Sequence, residues 1–457
     1  MKRQYTTGSV CKRAVLALAM VLAPTLAYAQ SDPGPRGGAA GAGGKITGLS
    51  MKEAKFFDSG LESFTEIASV TGSVAGTEPG LGPRFNMTGC ATCHAQPAVG
   101  GTSPSVNPQV DPTVNPVGTM QINHVTTTTP ILSVDGPVRE VRFSTDGGVH
   151  DLFTIAGLPG TPGGCTISQP DFATANAAGR LRFRIPTPTF GLGLIEAIED
   201  ATILALEGAV KPFGITGTAN RNGNDGTVTR FGWKAQNKSL VIFAGEAYNV
   251  EQGITNELFP DERGEGGTPD LEACRRVVTA PQDTVHYDAT QPQKVPDDVN
   301  NFANFMRFLA APVPVTSYSG VTNAQITAGE AAFNKAGCAT CHVKSLTTGN
   351  HANAALRLKT ANLFSDLLVH DIGTGDDISQ GGANGAQFRS APLWGLGQRL
   401  FFLHDGSTNN LVTAINAHGG VEGTQVTDNF NGVSLLNPAN NLSATERQNL
   451  IYFLRSL

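Results

Sequence analysis

Two segments of the chain carry apolar side chains at helical spacing. One spans Asp298 to Ala310 and the other spans Ser443 to Leu457, and apolar positions at i, i+3, i+4 and i+7 are typical of an amphipathic helix. Ser443 and Glu446 also stand at the spacing of a capping box, which starts a helix. The pattern predicts one helix in each segment, with apolar faces formed by Phe302, Phe305, Met306 and Leu309 and by Leu450, Ile451, Leu454 and Leu457.

Residues 100–182 show a different pattern, in which short β-rich runs alternate with Gly, Asp and Pro. The runs are Thr126 to Leu132, Val138 to Phe143 and Val149 to Ile155, and their length and composition are typical of strands. We expect a small β-rich insertion in a protein that is otherwise mainly α-helical.

The first 29 residues have the order of an export signal. An apolar run from Ala14 to Ala23 precedes the small-residue site Ala27-Tyr28-Ala29 and follows the cations Lys2, Arg3, Lys12 and Arg13. The run is about ten residues long, which is too short to span a bilayer. The pattern predicts a periplasmic protein whose signal peptide is cleaved near Ala29, followed by a Gly-rich flexible leader at residues 30–48.

The chain also contains an internal repeat. Residues 85–94 match residues 333–342 at eight of ten positions, and residues 183–193 correspond to residues 388–397 with a slip of one residue. Each copy ends in one of the two predicted helices. We interpret the repeat as a duplication that gives an N-terminal domain at residues 49–315 and a C-terminal domain at residues 316–457.

Both copies contain the sequence Cys-Ala-Thr-Cys-His. Thiols at i and i+3 can form thioethers with the vinyl groups of a haem, and the histidine that follows can ligate its iron. A zinc pair or a redox Cys-x-x-Cys motif is the alternative, but two copies behind an export signal favour haem. The sequence predicts two covalently bound haem c groups in two fused cytochrome c-like domains, held by Cys90, Cys93 and His94 and by Cys338, Cys341 and His342.

Two further cysteines, Cys165 and Cys274, lie outside the motifs and after the export signal. In an oxidising compartment an isolated pair most simply forms a disulfide. Two separate free thiols are the alternative.

Charge restricts the partners of the exported chain. The formal net charge is −6, and it becomes −10 when the four cations of the signal are removed, because no acidic residue leaves with them. An acidic surface disfavours nucleic acid and suits a small basic electron donor of the cytochrome or cupredoxin type.

In the second half, the residue available for the far side of the iron is a histidine. No methionine follows Met306, so His418 is the candidate sixth ligand of the second haem. His404 lies fourteen residues earlier and is expected to contact the same haem. An iron with both axial positions filled passes electrons rather than binding a small oxidant.

The first half lacks this histidine. When the two halves are aligned, Trp233 matches His404 and Ala247 matches His418. Because alanine cannot ligate iron, we expect the first haem to be open and reactive, although Met120 or His124 in the insertion could cap it.

Peroxide cleavage at an open haem requires a nearby acid/base that moves a proton between the two oxygens. Glu246 and Glu251 follow Trp233 at suitable distances. Each could instead be a solvated helix residue.

Seven segments of the chain together resemble one protein family. The chain is similar to the bacterial di-haem oxidoreductases, which are labelled as peroxidases and sometimes as thiol oxidoreductases. It also resembles the di-haem cytochrome c peroxidases and the di-haem enzyme that matures methylamine dehydrogenase. The segments extend over nearly the whole mature chain and comprise residues 82–86, 191–198, 230–235, 253–255, 366–371, 392–397 and 403–406.

This resemblance implies a role for several residues. The N-terminal haem would be peroxidatic, the C-terminal haem would take in electrons, and Trp233 would be the aromatic residue between them. Glu251 matches the active-site Glu of the peroxidases, with Gln252 where they have Met. His418 stands where they have an axial Met, and this exchange should lower the potential of the second haem. Hydrogen peroxide, a small electron donor and a calcium ion are the further ligands and partners that the resemblance implies.

The favoured hypothesis is thus a periplasmic, peroxidase-like di-haem oxidoreductase. Two alternatives stay open at the level of sequence. A pure electron-transfer cytochrome would have both irons six-coordinate. A haem oxidase would instead act on a sulfur compound or on a protein.

Overall fold

The computed structural model describes residues 30–111, 131–264, 272–275, 281–283 and 297–457. Within these residues helices predominate over strands, and the strands are short. The helices are α1 (Met51–Thr65), α2 (Cys90–Cys93), α3 (Phe172–Ala177), α4 (Leu192–Glu196), α5 (Asp200–Glu207), α6 (Leu240–Gln252), α7 (Asp298–Phe308), α8 (Asn323–Ala336), α9 (Leu411–Asn416), α10 (Gly420–Asn431) and α11 (Ala444–Ser456). The strands are β1 (Ala68–Ser69), β2 (Glu78–Pro79), β3 (Arg84–Phe85), β4 (Glu140–Phe143), β5 (Phe153–Thr154), β6 (Leu181–Arg184), β7 (Leu346–Thr347), β8 (Thr360–Ala361), β9 (Val369–Asp371) and β10 (Gln387–Arg389).

Both predicted amphipathic helices are present. Helix α7 buries Phe302, Phe305 and Met306, as its apolar spacing predicts. Helix α11 begins after Ser443, whose side chain accepts a hydrogen bond from the backbone N–H of Glu446 in a complete capping box. These two helices are specified locally, because both the apolar spacing and the cap lie within a few residues of chain.

Each of these helices packs against an earlier helix at a close crossing. Helix α1 contacts α7, and α8 contacts α11. A Cβ added at Gly60 of α1 would overlap the backbone of Asn301, and one added at Gly329 of α8 would overlap the backbone of Asn449. A larger side chain at either glycine would therefore push the two backbones apart.

The two helix pairs present aromatic rings to the two Cys-x-x-Cys-His motifs. The ring of Phe64 in α1 lies 6.0 Å from that of His94, and the ring of Phe333 in α8 lies 6.4 Å from that of His342. The halves thus share a local arrangement of helix pair and motif. The duplication itself stays a prediction.

The insertion contains β structure where the sequence predicts it. Strand β4 pairs antiparallel with β6, with Val141 opposite Phe183, and β5 pairs antiparallel with β3. The run predicted at residues 126–132 lies almost entirely outside the described residues. Two-stranded sheets also occur outside the insertion, since β7 pairs with β8 and β9 with β10. The expectation of a mainly α protein therefore needs correction, because the fold is mixed, with helices and several small sheets.

A disulfide closes the insertion. Cys165 and Cys274 form this bond across a sequence separation of 109 residues, which confirms the predicted pairing. Cys274 is buried in the hydrophobic core of the insertion, beside residues such as Leu152 and Phe172.

The residues predicted as a leader contact the body of the protein. Asp32 forms an ion pair with Arg455 at 2.7 Å, and both side chains are buried. The backbone N–H of Ile46 donates to the carbonyl oxygen of Phe308 at 2.8 Å. Gly-rich composition does not predict these contacts. Among the described residues, no helix has the length and apolar character needed to cross a membrane, and the predicted signal peptide lies outside those residues.

Candidate functional site

The first motif opens into a large cleft. The space between its atoms is about 1090 Å³, including the opening to solvent, and Cys90, Cys93 and His94 all line it. The Nδ1 atom of His94 lies 3.0 Å from the carbonyl oxygen of Gly101. Burial lowers the pKa of this imidazole to about 4. A neutral ring that donates from Nδ1 leaves Nε2 free to ligate a metal.

The second motif has the same local design. A cleft of about 1280 Å³, again including its opening, is lined by Cys338, Cys341 and His342. The Nδ1 atom of His342 lies 2.9 Å from the carbonyl oxygen of Phe364, and burial lowers the pKa of His342 to about 4. Each half thus presents two thiols and one oriented neutral imidazole to a cleft.

These residues fit a haem better than a small metal ion. Each cleft is lined by two thiols and an imidazole, which is the set of groups that attaches a haem c and ligates its iron. Within the described part of the chain, no cluster of three or more His, Cys, Asp or Glu side chains is arranged to hold a metal ion. A zinc site would need such a cluster.

His418 lies in the second cleft, as predicted from the sequence. It follows helix α9, and its Nδ1 atom lies 2.8 Å from the carbonyl oxygen of Ala414. Both His342 and His418 line the cleft, and burial lowers the pKa of His418. A second neutral imidazole with Nε2 available therefore lies in the same cleft as the proximal histidine.

The first cleft has Ala247 on helix α6 among its lining residues, together with Glu251. Two thioethers, those of Met87 and Met306, also line it, and sequence analysis did not consider them as ligands. Met120 and His124 lie outside the described residues. Among the described residues that line the cleft, no histidine other than His94 is present.

Glu251 lies near the end of α6 and faces the first cleft. Its carbonyl oxygen accepts hydrogen bonds from the backbone N–H groups of Asn86 and Met87 at 2.8 and 3.1 Å, which join α6 to the loop before the first motif. The helix stops at Gly253, whose φ of 68° is left-handed, a conformation that glycine adopts readily. Position and backbone contacts therefore fix this carboxyl beside the motif.

The surroundings of Glu251 keep its carboxyl protonated at neutral pH. Burial is the largest cause, and the negative charges of Glu140 and Asp151 add to it, so that its pKa rises to about 8. Arg263 opposes the rise. A carboxyl with a pKa near the working pH can both accept and return a proton.

Glu246, the other predicted acid/base, has a different environment. It accepts a hydrogen bond from the side chain of Asn237, and it is absent from the described residues that line the first cleft. Of the two predicted carboxyls, the structure thus brings Glu251 alone to the motif.

Trp233 lines both clefts. Its Nε1–H donates to the carbonyl oxygen of Ile185 at 2.8 Å, and the N–H of Ile185 donates to the carbonyl oxygen of His404 at 2.8 Å. The rings of Trp233 and His404 are 6.4 Å apart, and His404 stacks on Phe388 with the centroids 4.1 Å apart. The indole is therefore fixed in the wall between the clefts. Trp394, by contrast, is buried in a hydrophobic core.

A buried ionic network beside the second motif was missed by sequence reasoning. His370 lies 3.1 Å from a carboxylate oxygen of Asp366 and 3.1 Å from one of Glu422, and its Nδ1 lies 3.7 Å from the Sγ of Cys341. Burial opposes the charged form, but these carboxylates outweigh it and raise the pKa of His370 to about 11. The only sequence signal was that Asp366 and His370 fall in a segment shared with the resembling family. Glu422 is distant in sequence.

Comparisons with known proteins give one family and several weak structural similarities. Residues 174–457 match the family described as "Di-haem oxidoreductase, putative peroxidase". No curated protein matches the chain significantly.

Three solved structures are each similar to about three fifths of the chain. Hydrazine synthase from Kuenenia stuttgartiensis is 16% identical, covers 60% of this chain and 88% of its own, and has a TM-score of 0.24. A MauG-like protein associated with microbial copper homeostasis is 14% identical, covers 60% of this chain and 90% of its own, and has a TM-score of 0.27. The di-haem peroxidase BthA from Burkholderia thailandensis E264 is 14% identical, covers 60% of this chain and 86% of its own, and has a TM-score of 0.28.

Proposed function

The chain belongs to the di-haem oxidoreductase family, and we propose that it is an exported c-type enzyme that reduces hydrogen peroxide in its first cleft. Electrons would enter at the second cleft from a small periplasmic electron-transfer protein. The reduction consumes one peroxide, two electrons and two protons and releases two waters. The sequence of residues 1–29, which predicts export, supports the location of this reaction.

We propose that each motif binds its haem covalently. Thiols of Cys90 and Cys93 in one cleft, and of Cys338 and Cys341 in the other, would form the thioethers. The haem supplies the iron at which peroxide binds and the electrons that reduce it. The imidazoles of His94 and His342 are already oriented by hydrogen bonds to backbone carbonyl groups, so that each needs little reorganisation to ligate.

The asymmetry between the clefts is the observation that carries the assignment. The second cleft is lined by the imidazole of His418 as well as by that of His342, whereas the first cleft has Ala247 and the carboxyl of Glu251. A cleft with a second strong ligand suits electron transfer, and one with a proton carrier suits small-molecule chemistry. Peroxide reduction is therefore assigned to the first cleft.

Glu251 would move the proton. In its ionised form the carboxylate takes a proton from one peroxide oxygen, and it then returns this proton to the other oxygen as the bond between them breaks. Its pKa of about 8 leaves both forms accessible near neutral pH. Trp233, which lines both clefts, would provide the route for electrons between them.

One observation favours a second function, that of a pure electron-transfer cytochrome. The thioethers of Met87 and Met306 line the first cleft, and either one could occupy the position that peroxide needs. In that case the first cleft would be closed to small oxidants.

Electron paramagnetic resonance of the oxidised protein separates the two functions. We expect one high-spin and one low-spin iron, together with turnover of hydrogen peroxide. Two low-spin irons without turnover would refute the peroxidase. In that event Met87→Leu and Met306→Leu would identify the thioether responsible, because only loss of the true ligand would convert the first iron to high spin.

Attachment and export are tested separately. Mass spectrometry of the protein from an exporting host should give a chain that begins near Gln30 and carries two haems. Cys338→Ser should leave the second haem attached through one thioether only. A noncovalent haem, extracted from the wild-type protein by acid and organic solvent, would refute covalent attachment.

A further inference from the structure

Two arginines that line the second cleft have no counter-ion among the described residues. Arg389 ends strand β10, and Arg399 follows the turn Leu396–Gln398. Both line the cleft, and their exposed fractions are only 8% and 7%. Guanidinium groups remain charged in proteins, so that the fold buries two cations on one surface.

No described residue neutralises either cation. The Nε and Nη1 atoms of Arg389 are buried without a hydrogen-bond partner. Among the ion pairs of the described residues, none involves Arg389 or Arg399. Burial lowers the pKa of both side chains to about 10, and for Arg389 the neighbouring charge of Arg399 contributes to this shift.

The neighbouring cations show what a satisfied arrangement looks like in the same fold. Arg184 lies 2.6 Å and Lys234 lies 3.0 Å from oxygens of Asp376. This carboxylate serves both cations, and all three side chains are buried. Buried charges are normally paired in this way because an unpaired one is strongly disfavoured. Within the described residues Arg389 and Arg399 have no such carboxylate, and this arrangement suits a ligand that brings negative charges of its own.

We propose that Arg389 and Arg399 bind the two propionate carboxylates of the haem held at Cys338 and Cys341. This inference rests on the proposed function, since it requires a haem in the second cleft. Two carboxylates on one edge of the ligand match two guanidinium groups on one wall of the cleft. Arginine forms bidentate hydrogen bonds with carboxylates, which fixes orientation as well as charge.

The assignment also orients the haem with respect to the wall between the clefts. The backbone N–H of Arg389 donates to the carbonyl oxygen of Trp233 at 2.9 Å. Arg389 is therefore joined directly to the backbone of the residue that carries the indole, which lies in a turn. A propionate anchored at Arg389 would hold this edge of the ligand in one position relative to Trp233.

The two positive charges act on the potential of the second haem. They favour the reduced form, because reduction removes a positive charge from the iron. Other titratable side chains also line this cleft, namely His370, Glu422, His404 and His418. Because their charges also act on the potential, the variants must change the arginines alone. Arg357, whose exposed side chain donates to the carbonyl oxygens of His351 and Ala352, provides a matched control.

The test compares Arg389→Gln, Arg399→Gln, their Lys counterparts and Arg357→Gln in the full-length exported protein. Haem content by pyridine haemochrome is measured first, and two haems in the wild type are required. A wild type without a haem at Cys338 would refute the proposed function itself, independently of the arginines. Redox titration followed by the low-spin signal then gives the potential of the second haem. Resonance Raman gives the propionate bending bands, which a free anion in the cleft would not change.

Each Gln variant should lower the potential of the second haem and shift a propionate band, while the first haem and the Arg357→Gln protein stay unchanged. The Lys variants should recover most of the potential. Loss of the second haem from the Gln variants with retention in the Lys variants also supports the assignment. An unchanged potential and unchanged bands in either Gln variant would overturn the propionate assignment for that arginine. Equal haem loss in the Gln and Lys variants would also overturn it, because the shape of the side chain rather than its charge would then decide haem binding.

Discussion

Replacing Glu251 by Gln tests the proton carrier of the first cleft. The carboxyl has a pKa of about 8, raised by burial and by Glu140 and Asp151 and opposed by Arg263. Glutamine keeps the size of the side chain and its hydrogen bonds but cannot take up a proton. The variant therefore removes proton transfer while leaving the cleft in place.

The pH dependence follows from that pKa. The ionised form must accept the first proton, and with a pKa of about 8 only about 10% of the carboxyl is ionised at pH 7 and about 1% at pH 6. The value of kcat/KM, which reports groups of the free enzyme, should thus rise about tenfold for each pH unit below 8 and level off above it. Glu251→Gln should lose about 10²–10⁴-fold in rate at pH 8 together with this rise.

Peroxide consumption is measured between pH 5.5 and 9.5, with the spectra of both haems recorded for each variant. Glu246→Gln is the matched control, because this residue lies on the same helix, α6, and bonds to Asn237 away from the first cleft. It should keep the wild-type profile. A Glu251→Gln protein that retained both the rate and the slope below pH 8 would clear Glu251 of the role and assign the profile to another group.

Three further changes test other parts of the structure. His418→Gly should convert the second haem to high spin and leave the first untouched; an unchanged absorption spectrum would refute the sixth-ligand assignment. Trp233→Phe should slow electron transfer between the haems in stopped-flow measurements without altering either spectrum. Trp394→Phe, in a core away from the wall between the clefts, should leave this rate unchanged. Equal rates in the two variants would exclude the indole route. Asp32→Asn breaks a buried ion pair and should lower the free energy of unfolding by about 3–5 kcal/mol in urea titrations. Asp58→Asn, at an exposed pair, should lose about 0–1 kcal/mol, and an equal loss in the two would show that the leader is not held by this contact.

The chemical groups of the site could be predicted from the sequence, but their arrangement in space could be predicted only in part. Two thiols and a histidine at fixed spacing form one unit whose use does not depend on the rest of the fold. The spacing of His418 also carried information, because an aligned copy has alanine at that place. Met87 and Met306 were not predicted as ligands, because neither lies at a position that the alignment of the halves singles out.

The proposal for Glu251 rests on both the sequence and the structure. The sequence placed it on a helix after Trp233 but could not separate it from Glu246, which is five residues away. The structure turns one carboxyl into the first cleft and the other towards Asn237. It also buries Glu251 and brings Glu140 close to it, and together these raise the pKa of Glu251, an effect that no local pattern contains.

By itself the sequence determined the features that depend on neighbouring residues. These are the helices α7 and α11, the two Cys-x-x-Cys-His motifs and the β-rich runs of the insertion, each specified by spacing, capping or residue type within a short stretch. Only the tertiary structure decided that Trp233 lies between the clefts, that Arg389 and Arg399 line the same cleft, and that the segment at residues 30–48 contacts helices α7 and α11. Such contacts join residues that are far apart in the chain, and they arise from the packing of whole elements, in which each buried charge responds to every group around it.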